Sequence, residues 1–243
     1  MARLALPKSP ASEAFSVWAL VLLGLALVQA LGLAVPLLHQ AVGALAVAAF
    51  LYAPTLALER RGQDAHDAGW RFDRLGTELA WSLGACAVVL PLFSLAFAGF
   101  VHVLPLLPGR SFFAPYLGLA HPLQFRFPHD QKAALDLGGR VLGNAAVAFS
   151  EEFFYRGYLT LRLEERWPPR TRILGVPLGR AALLVAVLFA VGHLLEPAPF
   201  RLAVFFPALL FAWLRARTGT VVAASICHLI CNVWLLMLEQ AAY

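Results

Sequence analysis

Apolar residues run along this chain in long blocks, separated by short polar or basic breaks. A helix needs about 20 predominantly apolar residues to cross the hydrocarbon core of a bilayer. Seven blocks reach or approach that length: residues 14–35, 40–58, 78–101, 140–161, 181–195, 199–214 and 220–238. Pro36 ends the first, and Glu59-Arg60-Arg61 close the second. The fifth is short for a span. The connector after the second block is polar, with Asp64, His66, Asp67, Arg71 and Arg74. The longest connector, 102–139, sets Pro105, Pro108, Pro115, Pro122 and Pro128 around an apolar, aromatic middle that includes Phe112, Phe113 and Tyr116. That combination predicts an interfacial or re-entrant segment rather than a disordered one. The pattern as a whole predicts an all-α, polytopic transmembrane helical bundle without internal repeats. It divides into N-terminal spans with the long loop (1–139) and a C-terminal set of helices (140–243), within one integral-membrane domain.

Composition sharpens this reading. The 243 residues are 60% hydrophobic and only 14% charged, with a mean hydropathy of +0.73. A soluble domain carries about 25% charged residues, so a water-soluble globule is excluded. The net charge of +5 is carried by residues at span ends, not in one stripe. It therefore speaks to membrane orientation and not to nucleic-acid binding. Most of the 19 lysines and arginines fall on the N-terminal side of the membrane when the spans are threaded alternately, which predicts a cytoplasmic N-terminus. The first apolar run outlasts the about 7–15 residues of a signal-peptide core and reads as a retained span. Cys86, Cys227 and Cys231 lie in apolar stretches without the paired spacing of a metal site, and read as small packing residues.

One block breaks its own pattern. Ser150-Glu151-Glu152-Phe153-Phe154-Tyr155-Arg156-Gly157 places two carboxylates and a guanidinium inside a span. Ionised side chains cost several kcal/mol in hydrocarbon, so such residues are functional candidates by default. Glu152 and Arg156 stand at i,i+4 and can pair on one face, whereas Glu151 is turned about 100° away. The alternative is a buried ion pair that only orients helices. Two other spans add His193, then His228 and Asn232, the last two at i,i+4. Measured from the basic residue at the inner end of each span, these groups lie at similar depth, roughly 16–23 Å at about 1.5 Å per residue. Each alone reads equally well as a helix–helix hydrogen bond; their coincidence with an unpaired glutamate points to chemistry. A shielded Glu151 with His193 can deprotonate a water. His228 and Asn232 can donate to the oxygen that turns negative when water adds to a carbonyl.

The order E-E-x-x-x-R, F-x-x-x-H, H-x-x-x-N, on separate helices, resembles the CPBP family of intramembrane glutamic endopeptidases, the CAAX prenyl protease and bacteriocin-processing (Abi) group. Here the motifs are Glu151-Glu152-Phe-Phe-Tyr-Arg156, Phe189-Ala-Val-Gly-His193 and His228-Leu-Ile-Cys-Asn232. The resemblance implies Glu151 and His193 as the water-activating pair, His228 and Asn232 as the oxyanion hole, and Glu152 and Arg156 as support, making 140–243 the catalytic part. It implies a core of typically about eight helices, so the expectation is seven to eight spans. It further implies a membrane-anchored protein or peptide, or a lipid-modified one, as substrate. No cofactor is expected, and a bacterial inner (cytoplasmic) membrane is the expected location, given the Ala, Leu, Arg and Gly richness. Two other functions fit the same polar band. One is a zinc metalloprotease with Glu151, His193 and His228 as ligands, disfavoured by the lack of an H-E-x-x-H pair. The other is a non-enzymatic transporter or immunity protein.

Overall fold

The computed structural model describes residues 9–106, 108, 113, 130–196 and 198–242. Its helices are α1 (Pro10–Gly32), α2 (Pro36–Glu59), α3 (Leu75–Val103), α4 (Gln131–Glu152), α5 (Thr160–Arg166), α6 (Arg180–Gly192), α7 (Phe205–Thr218) and α8 (Val222–Ala242). A π-helical stretch, Phe153–Leu159, joins α4 to α5 without a break. Among the described residues five helical stretches are long and apolar enough to cross a membrane: Pro10–Gly32, Pro36–Glu59, Leu75–Val103, Pro199–Thr218 and Val222–Glu239. Arg180–Leu195 is apolar but shorter. The all-α membrane bundle is as expected; of the seven to eight spans expected, five reach that length and apolarity among the described residues. The helix α4 carries Asp136, Arg140, Glu151 and Glu152, and α6 ends early at Gly192.

Two local features differ from the sequence pattern, and one reading falls outside the described residues. The fourth helix begins well before residue 140, because Asp130 caps it by accepting from the Ala133 N–H at 2.7 Å. Most of the aromatic middle of 102–139, and with it the interfacial reading, lies outside the described residues. A small antiparallel hairpin, β1 (Thr171–Ile173) and β2 (Val176–Leu178), interrupts the all-α character with the register Thr171↔Leu178. Its two-residue turn, Leu174-Gly175, holds φ of 48° and 81°. Positive φ at both positions is the geometry whose twist suits a two-residue hairpin.

The packing is centred on α8, which lies against α3, α4 and α7, while α1 runs along α2 and touches α5. The main core gathers Phe50, Phe153, Phe154, Tyr155, Tyr158 and Phe189. Outward faces are apolar: Leu20, Leu37, Leu92 and Leu95 are more than 60% exposed, as lipid rather than water requires. Two fully buried acids clamp one end of the bundle. Glu13, in the first turn of α1, accepts from Arg61 at the end of α2 and from the Tyr158 hydroxyl of the π stretch at 3.1 Å. Glu78, in the first turn of α3, accepts from the Thr220 hydroxyl ahead of α8. At the same end Arg71 donates to the Gly219 carbonyl, and Arg162 to Gln63.

Candidate active site

The two glutamates end α4, where the ladder widens into the π stretch. Seven successive residues, Phe153 to Leu159, are buried there. Such π insertions are rare and recur at functional sites. Gly157 lets the backbone approach the 62–74 connector: a Cβ at this position would meet the Ala68 carbonyl oxygen at 3.0 Å.

Glu152 and Arg156 pair at 3.0 Å, with neither side chain exposed. Arg156 also donates to the Ala208 carbonyl of α7 at 3.1 Å. Its guanidinium lies over the rings of Phe189 and Phe211, 4.4 and 5.3 Å from their centroids. The same Glu152 oxygen that faces Arg156 also faces His228 Nδ1 at 2.9 Å. A carboxylate paired with a guanidinium can only accept, so this Nδ1 carries a hydrogen. The opposite nitrogen, Nε2, faces Glu151 at 3.8 Å. His228 therefore sits between the two carboxylates, and the Phe211 ring stacks on it at 4.7 Å and 19°. Glu151 is the accessible member, 13% exposed, with no ion pair to an arginine among the described residues.

His193 is the first residue past α6 and begins a short 3₁₀ turn, His193–Leu195. Its Nδ1 donates to the Phe189 carbonyl at 2.9 Å. A carbonyl only accepts, so the hydrogen is on Nδ1 and Nε2 keeps a lone pair. The Phe189 ring lies 4.5 Å from His193 and 5.9 Å from His228, between the two imidazoles. Asn232 follows His228 by one turn of α8, half-buried, and its amide makes no hydrogen bond among the described residues. Glu151 and His193 are not in contact within 4 Å. The fold thus brings Glu151, Glu152, Arg156 and His228 together, sets His193 across Phe189 from them, and leaves the Asn232 amide open.

The sequence pattern did not single out α7. Phe211 and the Ala208 carbonyl hold His228 and Arg156 in place, yet an apolar side chain and a backbone carbonyl leave no contrast in an apolar helix. Tyr155 is a second such residue: a Cβ on Gly192 would lie 2.7 Å from its hydroxyl, so this glycine leaves room for it beside His193. Among the described residues, two groups bring metal-ligating atoms within 4.8 Å of one another: Cys86, Cys227 and Cys231, and the exposed Asp64, His66 and Asp67. The three cysteines pack in one core cluster, as their apolar surroundings predict, with the Cys86 and Cys227 sulfurs 3.6 Å apart. Glu151, His193 and His228 do not form such a group.

Residues 136–234 match the family model described as type II CAAX prenyl endopeptidase Rce1-like. Over these residues the chain is similar to the Rce1-like family. The match runs from α4 into α8 and includes all six residues named above, while α1, α2 and α3 lie outside it. Comparison with curated proteins and with solved structures found no match. The five apolar helices, together with this likeness, make the chain an integral membrane protein.

Proposed function

We propose that this Rce1-like protein is a glutamic-type intramembrane endopeptidase. It hydrolyses a peptide bond near the end of a membrane-anchored or lipid-modified protein, using a water activated by Glu151 and His193. The observation that carries the reading is the unequal treatment of two adjacent glutamates: Glu152 is locked by Arg156 and His228, while Glu151 is left to face the imidazole and the open side. A water between the Glu151 carboxylate and His193 Nε2 gives a proton to the carboxylate as its oxygen attacks the scissile carbonyl. The carbonyl oxygen takes up the negative charge and accepts from the Asn232 amide and from His228. Because His228 Nδ1 already donates to Glu152, Nε2 can donate to that oxygen only from an imidazolium. The intermediate collapses as Glu151 returns its proton to the leaving amine. A carboxylate and an amine are the products, and no metal enters the step.

We place the protein in a bacterial cytoplasmic membrane with its N-terminus inside. The meeting of Arg61, Arg71, Arg162 and Arg215 at one end of the bundle supports this. The test uses membranes from cells carrying Glu151→Gln, which retain uncut substrate. Purified wild-type protein is added in proteoliposomes after exhaustive chelation, and new C-termini are read by mass spectrometry. New C-termini are expected under chelation and none with His193→Ala. Cleavage that stops on chelation and returns with zinc would replace this mechanism with the metalloprotease one.

A further inference from the structure

A cavity of about 1170 Å³ opens between α3, α6, α7 and the hairpin, on the far side of α7 from the carboxylates. The separation is clear on α7 itself. Ala208 and Phe211 face Arg156 and His228, whereas Leu209, Leu210 and Trp213 line the cavity. The volume exceeds the roughly 300–1,000 Å³ of ordinary small-molecule sites.

Its two ends differ in chemistry. The deep end is apolar, formed by Val88 and Val89 of α3. Arg166, Arg170 and Arg180 line the other end. All three are exposed, and none of them makes an ion pair among the described residues. Trp81, Trp167 and Trp213 line the same cavity. The Trp213 indole donates to the Ile173 carbonyl at 3.3 Å, tying the hairpin to α7. Tryptophans at this level mark the membrane–water interface. Val88 and Val89 lie about four turns into α3 from Leu75, roughly 20 Å. A single leaflet contributes about half of a 30 Å hydrocarbon core. The cavity therefore runs from an interface to about the bilayer midplane, the reach of one leaflet's acyl chains.

We propose that this cavity is a binding site for an anionic phospholipid of the inner leaflet. Its acyl chains lie along α3 and α7, and its phosphodiester is held by Arg166, Arg170 and Arg180. Three guanidiniums without a carboxylate partner among the described residues, Arg166 lying over the Trp167 ring, favour a net-negative headgroup over a zwitterion, whose own ammonium would meet them with like charge. The walls α6 and α7 also carry the site: His193 follows α6, and α7 supplies Phe211. A seated lipid would steady both helices from behind.

The experiment places the full-length protein in nanodiscs with equal amounts of phosphatidylglycerol and phosphatidylcholine of identical acyl chains. Native mass spectrometry then counts the lipids retained on the ejected protein. One phosphatidylglycerol per protein is expected, favoured about tenfold over phosphatidylcholine. Combined Arg166→Gln, Arg170→Gln and Arg180→Gln should remove the preference. Val88→Trp should remove retention itself by filling the deep end without altering charge; Val88 is 62% exposed, so the change does not disturb a core contact. Equal retention of the two lipids by the wild type, or unchanged retention in both variants, would overturn the proposal. Displacement of the lipid by inorganic phosphate alone would also overturn it, since the acyl chains would then contribute nothing. The readout is independent of cleavage, so it stands or falls apart from the protease reading.

Discussion

Glu151 and Glu152 are the same side chain one residue apart, and their surroundings differ. Glu152 is fully buried against Arg156 and His228, so removing the guanidinium strands a carboxylate out of reach of water. Breaking such a pair from one side costs about 3–5 kcal/mol. Arg156→Ala should therefore lower the melting temperature in detergent far more than Glu151→Ala, which removes a partly accessible acid. Equal melting would refute the asymmetry. Gly192→Ala is a second residue-scale test. Its Cβ would press on the buried Tyr155 hydroxyl, and overpacking of this kind costs about 1–3 kcal/mol. We expect reduced cleavage and a lower melting temperature; wild-type values for both would show that the hydroxyl has room to move. The acid, the histidines, the amide and the arginine were legible in the sequence because each interrupts an apolar run. The His228 contact with both carboxylates was not, since spacing along α8 says nothing about α4 across from it.

Elements explain how those residues keep their places. The π stretch is held at its far end by α1 and α2, through Tyr158, Glu13 and Arg61. The Glu13 hydrogen bond, opposed in part by burial, raises the Arg61 guanidinium above its ordinary value, so it stays charged at any pH the protein meets. Glu13→Ala removes the shared acceptor for α2 and the π stretch. The loss of charged hydrogen bonds should cost about 1.5–3 kcal/mol, read as an earlier melting transition and weaker cleavage despite the distance from Glu151. An unchanged transition would mean that α1 and α2 only cover the bundle. Helix positions were largely readable from apolar blocks. The π stretch was not, because its seven residues are as apolar and aromatic as an ordinary span. Nor was the hairpin, whose strands are three residues long and whose Leu174-Gly175 turn lacks the Asn-Gly or Asp-Gly signal.

At the scale of the whole molecule, charge and clamp agree on direction. The Glu13 and Glu78 clamps sit with the basic connectors at one end of the bundle, and the hairpin lies just beyond α5 at that same end. A cysteine placed at the exposed Leu174 should react with a membrane-impermeant maleimide in inverted vesicles and not in intact cells. Labelling from outside would reverse the orientation. Substrate choice was not legible in the sequence, because the family match covers 136–234 and leaves the first three helices without a motif. The central claim is that Glu151 activates water for peptide hydrolysis while Glu152 only supports. Quantitative mass spectrometry of membrane-protein C-termini, in cells expressing the wild type or Glu151→Gln at equal levels, tests it most directly. The account predicts that at least one membrane protein keeps an uncut C-terminus in the variant alone; identical C-termini in the two strains would contradict it.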